Sequence, residues 1–234
     1  GSVLTSAAGI TLLNMENINA NMGGGTDWLI YLSNDNVVVD LSTGFATGFS
    51  AVAGVERVVG DLGNDNLTGD SAANRLDGAT GNHRQSGGGG IDTLIGGDGA
   101  DTISGGLAND TLQGGIGTDA FYWAVGDGRD TIDGGGDADT FNAFGSAAAE
   151  LGRATWNGAA ITALMDNSLA NIEACTLDLG DGVDWLIYNT SSAVTVSLAV
   201  GTASGFNSVV NVEKVIGGSG DDSLGGNGVD NRLD

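Results

Sequence analysis

Gly87-Gly88-Gly89-Gly90-Ile91-Asp92-Thr93-Leu94-Ile95 runs without a gap into Gly96-Gly97-Asp98-Gly99-Ala100-Asp101-Thr102-Ile103-Ser104. Each nine-residue unit has two halves. The glycine-rich first six residues read as a turn, because glycine permits positive φ and close backbone approach. The last three read as a short strand whose apolar eighth residue points inward while its neighbours, among them Thr93, Thr102 and Thr111, point outward. Working outward, units begin at Gly60, Gly69, Gly78, Gly87, Gly96, Gly105 and Gly114 in unbroken phase. Their inward residues are Leu67, Leu76, Leu94, Ile103, Leu112 and Phe121. After a two-residue insertion, units resume at Val125 and Gly134 and carry Asp130 and Asp139. The unit at 78–86 breaks the pattern: His83 stands for the sixth-position acid and Gln85 for the apolar residue.

A second, longer period encloses the first. Asp27-Trp28-Leu29-Ile30-Tyr31 returns 157 residues on (27 to 184) as Asp184-Trp185-Leu186-Ile187-Tyr188. At the same offset Val55-Glu56-Arg57-Val58 returns as Val212-Glu213-Lys214-Val215, and Asn74-Arg75-Leu76-Asp77 as Asn231-Arg232-Leu233-Asp234. The chain therefore divides into a first long repeat, 1–157, and a partial second one, 158–234. Within the first, 1–59 are flanking coils, 60–122 the main nonapeptide array and 123–157 further units and a connector. Within the second, 158–216 are flanking coils and 217–234 restart the array, with Asp222 and Asn231 at sixth positions. The expectation is a piece of a longer tandem-repeat protein. Two stretches are less regular: around 147–151 and 161–169 the pattern weakens, and a short helix or a loop crossing is expected.

Composition limits what such a chain can be. It has 234 residues, 43 of them Gly and none Pro, and 30 Asp plus Glu against 7 Lys plus Arg, a formal charge of -23. With 41% hydrophobic residues it has apolar surface for a core, but it repels itself. Bound hard cations held by Asp, Asn and carbonyl oxygens would relieve that repulsion. The acidity argues against nucleic acid, whose phosphates need Lys and Arg. No apolar run approaches the roughly 20 residues of a membrane span. The single cysteine, Cys175, can form no internal disulfide, and its match to Ile18 in the first long repeat favours a buried apolar role. With one His and one Cys, no Ser-His-Asp or Cys-His constellation can be assembled, so the chain reads as non-enzymatic.

The units resemble the G-G-x-G-x-D-x-U-x nonapeptide of RTX (repeats-in-toxin) proteins, directly over 60–142 and 217–234. The resemblance implies an all-β parallel β-roll, or β-solenoid, with calcium-binding turns. Two units make one coil, residues eighteen apart stack, and each Ca²⁺ lies between adjacent turns, held by sixth-position Asp and turn carbonyls. Carried onto this chain, one side bears Asp65, His83, Asp101 and Asp119, and the other Asn74, Asp92 and Asp110. Asp101 with Asp119 and Asp92 with Asp110 are the best expected sites, and Asn74, uncharged, a weaker one. Asp130, Asp139, Asp222 and Asn231 extend the candidates. So do Asp27 and Asp184, whose G-x-G-x-D-x-U segments stand outside the array; simple turn roles are the competing reading for both. His83 is expected to face solvent in a decayed repeat, a transition-metal or pH-sensing role being the alternative, and its coil to bind calcium poorly and to loosen or bulge.

The resemblance also implies export by a one-step (type I) secretion system to the cell surface or medium, with folding on external calcium. Three functional classes stay in play. A scaffold (stalk, surface layer, adhesin or filament) fits long repeats whose strand edges allow stacking with neighbouring copies. A glycan binder would use the outward Trp28 and Trp185, for which packing against an adjacent coil is the competing reading. A secretion and folding module appended to an enzyme such as a protease, lipase or alginate epimerase is the third.

Overall fold

The computed structural model describes residues 3–4, 18–32 and 34–234; the remainder of the first flanking segment lies outside the described residues. Among the described residues every regular element is a strand, and no helix is long and apolar enough to cross a membrane. Successive strands fall alternately into two long sheets, of nine and twelve strands, with two three-stranded sheets beside them. Within the array all pairing is parallel. Arg84–Gly88 pairs with Asn66–Thr68 and Thr102–Gly106 in one sheet, and Thr93–Asp98 with Arg75–Thr80 and Thr111–Ile116 in the other. Thr93 lies opposite Thr111 and Arg84 opposite Thr102, an offset of eighteen residues (93 to 111, 84 to 102), so two nonapeptides close one coil. This is the β-roll.

Side-chain alternation fills the interior. Leu67, Leu76, Leu94, Ile103, Leu112 and Phe121 are fully buried, and Ile132 and Phe141 continue their rows. Burying each stabilises the fold by roughly 2 kcal/mol. Because the period is two, the sixth-position residue and the following unit's first glycine point the same way as the apolar eighth. The acidic residue therefore faces in, not out: Asp92, Asp101, Asp110 and Asp119 are as buried as the leucines beside them. The first glycine is required there. A Cβ on Gly87 would strike the Asp92 carboxylate and the Gly105 carbonyl of the next coil on the same side.

Insertions are absorbed in turns and leave the register intact. The two-residue insertion lengthens the offset to twenty (111 to 131, 120 to 140) without a slip. Asp127 caps it by accepting the Ala124 N–H at 2.7 Å, and Trp123 Nε1 donates to Gly128 O at 3.1 Å. Near 147–151 the expected loop crossing is present: residues 147–150 carry the chain from Thr140–Ser146 in the nine-stranded sheet to Leu151–Trp156 in the twelve-stranded one. At 161–169 neither a helix nor a crossing forms; Leu151–Trp156, Ile161–Leu164 and Asn167–Ala170 join antiparallel inside an otherwise parallel sheet. A hairpin satisfies its backbone without leaving the sheet, which a crossing helix would not. The long period also recurs in structure. Val38–Asp40 pairs antiparallel with Phe45–Ala46, and its counterpart Thr195–Ser197 with Thr202–Ala203.

The decayed unit does not loosen its coil. Arg84–Gly88 keeps the register of its neighbours on both sides, with no bulge. Gln85 takes the apolar seat between Leu67 and Ile103; its Nε2 donates to Ile95 O at 2.8 Å, and its Oε1 is buried without a partner. Leaving an acceptor unsatisfied costs about 1–3 kcal/mol. Gln85→Leu should therefore raise stability by about 1 kcal/mol, read as a higher urea midpoint at constant calcium.

Candidate metal centre

The sixth-position residues form two ladders, one on each side of the roll. In the first, the backbone N–H of Val37 donates to Asp65 Oδ1 (2.8 Å), Asp65 N–H to His83 Nδ1 (3.1 Å), and His83 N–H to Asp101 Oδ1 (2.7 Å). Asp101 N–H then donates to Asp119 Oδ1 and Asp119 N–H to Asp139 Oδ1, both at 2.8 Å. In the second, Asn74 N–H donates to Asp92 Oδ1 (2.7 Å), Asp92 N–H to Asp110 Oδ1 (2.8 Å), and Asp110 N–H to Asp130 Oδ1 (2.9 Å). One carboxylate oxygen of each acid is thus used to tie its coil to the preceding one.

The other oxygen is left over. Oδ2 of Asp65, Asp92, Asp101, Asp110, Asp119 and Asp139, and of Asp27 and Asp184 outside the array, is buried with no hydrogen-bond partner. A buried carboxylate oxygen without a donor is costly and calls for a cation or a proton. The surroundings suit a cation. Over Gly96 the Asp101 Oδ2 and the Gly114 carbonyl share the space that a Cβ would occupy, and over Gly114 the Asp119 Oδ2 and the Gly134 carbonyl do the same. Among the described residues no three His, Cys, Asp or Glu side chains gather as a metal-holding group, so carbonyls must complete any coordination shell. A carboxylate with carbonyl oxygens is a hard donor set of the kind calcium takes.

Burial makes these acids reluctant to ionise. Desolvation raises Asp92 and Asp130 to about 7 and Asp101 and Asp139 to about 6, against the opposing pull of the ladder hydrogen bonds. The same cause raises Asp65, Asp110, Asp119 and Asp184.

Not every predicted residue sits alike. Asn74 spends Oδ1 on Asp70 N–H in its own turn (2.7 Å), and Asn231 does the same with Asn227 N–H (2.7 Å). Asp222 is half-buried and accepts the Val194 N–H at 3.0 Å. Asp184 Oδ1 accepts Glu150 N–H at 2.7 Å, and Asp27 N–H donates to Glu56 Oε2 at 2.9 Å, which places both in ladders and not in isolated turns. Five ladder residues are additions to the sequence reading. Glu173 accepts from Asp139, Asn167 from Asp130, Glu213 from Asp184 and Glu56 from Asp27, while Glu150 donates to Asp184. His83 corrects an expectation: it is buried, not solvent-facing, because its ring nitrogen substitutes for the ladder oxygen. The outward indoles of Trp28 and Trp185 are half-buried, and each carries a cation from the paired strand of the next coil, Arg57 over Trp28 at 4.8 Å and Lys214 over Trp185 at 4.9 Å.

The family model of the RTX calcium-binding nonapeptide repeat matches residues 50–82, 86–121 and 124–143, in four copies. The array is a run of RTX calcium-binding nonapeptide repeats. The matched segments contain both ladders from Asp65 to Asp139 except for His83, which falls between the first two segments, and the nonapeptide they are built from is a calcium-binding motif. No curated protein matches the chain.

Proposed function

We propose that this chain is a calcium-dependent structural repeat of a secreted or cell-surface bacterial protein (a stalk, surface layer, adhesin or filament) that folds when it meets calcium outside the cell. The observation that carries the reading is the file of buried, unpartnered Oδ2 atoms in glycine-floored recesses between stacked coils. Asp65, Asp92, Asp101, Asp110, Asp119 and Asp139 would hold the ions, with Asp130, Asp27 and Asp184 extending the files; Asp222, Asn74 and Asn231 would contribute weaker positions. Bound calcium supplies counter-charge and ties neighbouring turns together. The chain's own residues do the rest: Oδ1 atoms fix coil spacing, glycines keep the recesses open, and the Leu, Ile and Phe rows fill the interior.

Without counter-charge, a chain of charge -23 must bury desolvated carboxylates and order many glycines at roughly 1–2 kcal/mol per residue. Binding energy thus becomes folding energy. Extracellular calcium modules have dissociation constants of about 10⁻⁴ to 10⁻³ M, so the chain stays unfolded at cytosolic calcium and folds after export, which suits type I secretion. A structural role is supported by the fate of the reactive side chains. The lone His is built into a ladder, and the buried Cys175 thiol, stacked on Phe141, is pushed up to about 12. Repeats of this kind would associate with neighbouring copies of themselves.

Small-angle scattering tests the proposal. In EGTA the radius of gyration should approach about 50 Å, the value for an unfolded chain of this length, and millimolar calcium should bring it down to roughly 20 Å. Magnesium, which demands tighter octahedral geometry, should not substitute. An unchanged radius across the calcium titration would dismiss the reading. Negative-stain images of longer repeat arrays, with and without chelator, separate a rod or filament from a module that merely follows an enzyme.

A further inference from the structure

His83 puts nitrogen where the rest of its ladder has oxygen. A Cβ on Gly78 would strike Cδ2 and Cγ of the imidazole and the Gly96 carbonyl, where the recesses over Gly60 and Gly96 hold Asp65 Oδ2 and Asp101 Oδ2; Nε2 is the ring atom bonded to that Cδ2. The ring therefore takes a carboxylate's seat between two carboxylates. His83 is 2% exposed, and its Nε2, Asp65 Oδ2 and Asp101 Oδ2 are all buried without hydrogen-bond partners. Nδ1 lies 3.1 Å from Asp65 N and 3.5 Å from Asp65 Oδ2.

Calcium prefers oxygen throughout its shell, whereas imidazole is a ligand of first choice for Zn²⁺, Co²⁺ and Ni²⁺. We propose that the turns around His83 form a mixed nitrogen–oxygen site for one transition-metal ion, set within files whose other positions take calcium. His83 Nε2 is the nitrogen donor, Asp101 Oδ2 the carboxylate from the adjoining coil, and turn carbonyls such as that of Gly96 complete the set. With Nδ1 accepting the Asp65 N–H, the neutral ring carries its proton on Nε2. A metal at Nε2 displaces that proton, and the ring stays neutral by taking one on Nδ1, where Asp65 Oδ2 is placed to accept it. The outcome is the carboxylate–imidazole–metal arrangement that fixes ring orientation at many metal sites, with no net change in ring protonation. The Asp65 N–H gives up its acceptor in exchange, so the site favours metals that bind imidazole strongly.

This inference rests on the turns being metal sites, and the test keeps the two separable. The full chain without any histidine tag is saturated with calcium and titrated with Co²⁺, followed by visible ligand-field absorption. In parallel, Zn²⁺ is added to ¹⁵N-labelled protein, and the imidazole nitrogens of the only histidine in the chain are recorded. One equivalent of Co²⁺ should bind at least about tenfold more tightly than calcium does at the same position. The Nε2 resonance should move on adding Zn²⁺, while Nδ1 changes from acceptor to protonated. His83→Gln should abolish the band, and His83→Asp should abolish it and add one bound calcium. Calcium-dependent folding that is intact beside an unmoved Nε2 resonance, or Co²⁺ binding undiminished in His83→Gln, overturns the inference alone. A chain that ignores calcium overturns the calcium reading and this one with it.

Discussion

Asp119→Ala should raise the calcium concentration for half-maximal folding about tenfold, and Asp119→Asn should separate the reasons why. The wild-type carboxylate has two separable tasks. Oδ1 accepts the buried Asp101 N–H at 2.8 Å, and Oδ2 stands in the recess over Gly114 beside the Gly134 carbonyl. Alanine removes both, leaving a buried N–H unsatisfied at about 1–3 kcal/mol in addition to the lost ligand. Asparagine keeps an acceptor for Asp101 and replaces a desolvated charge with an amide that can donate to the carbonyl. It should therefore need several-fold more calcium than wild type, since ligand charge sets affinity. At saturating calcium it should resist urea better than alanine, because the buried Asp101 N–H keeps its acceptor. Paired calcium titrations and urea unfolding at saturating calcium check this. Equal behaviour of the two variants in both assays would mean that the oxygens are not divided between ladder and metal.

Acid should stand in for calcium. The carboxyls of Asp92 and Asp130 are raised to about 7 and those of Asp101 and Asp139 to about 6, all chiefly by desolvation, whereas in the unfolded chain they titrate near the ordinary value of about 3.9. A group whose folded pKa lies above its unfolded one stabilises the fold fully below the unfolded value. That contribution is lost as pH rises through the folded value. In chelator, stability should accordingly be greatest near pH 4 and fall between about pH 4 and 7, with each unit of raised pKa equivalent to about 1.4 kcal/mol before solvent relaxation. With calcium the slope reverses, because protons compete for the same oxygens, and the calcium midpoint should climb as pH drops from 7.5 to 5.5. Circular dichroism along both pH series, with and without EGTA, reads the two slopes. Flat stability in chelator would show that the acids are not desolvated in the folded chain.

Nine-residue phase announced the inward rows of Leu67, Leu76, Leu94 and Ile103, while the eighteen-residue coil and the partition of Asp65, Asp101 and Asp119 from Asp92 and Asp110 came from the RTX resemblance. What stayed hidden lay where the glycine half of the motif has been lost. Glu56-Arg57-Val58, Glu173-Ala174-Cys175 and Glu213-Lys214-Val215 keep the acid, the outward residue and the inward apolar residue. That triplet is enough to extend a ladder, since a longer Glu reaches the N–H from a turn of different length. His83 was misjudged for a related reason. Polarity suggests solvent, but a ladder seat asks only for an acceptor at the right place, and Nδ1 provides one. The hairpin at 151–164 was illegible because a parallel stack accepts an antiparallel insert wherever both strands can still pair.

Far-UV circular dichroism of the purified chain, recorded in EGTA and then through a calcium titration with magnesium as control, bears most directly on the claim that buried carboxylates keep the coils apart until a divalent ion joins them. A β spectrum should emerge only with calcium, cooperatively and in the sub-millimolar to millimolar range typical of extracellular modules. A full β spectrum in excess EGTA at pH 7.5, unaltered by calcium, would refute it.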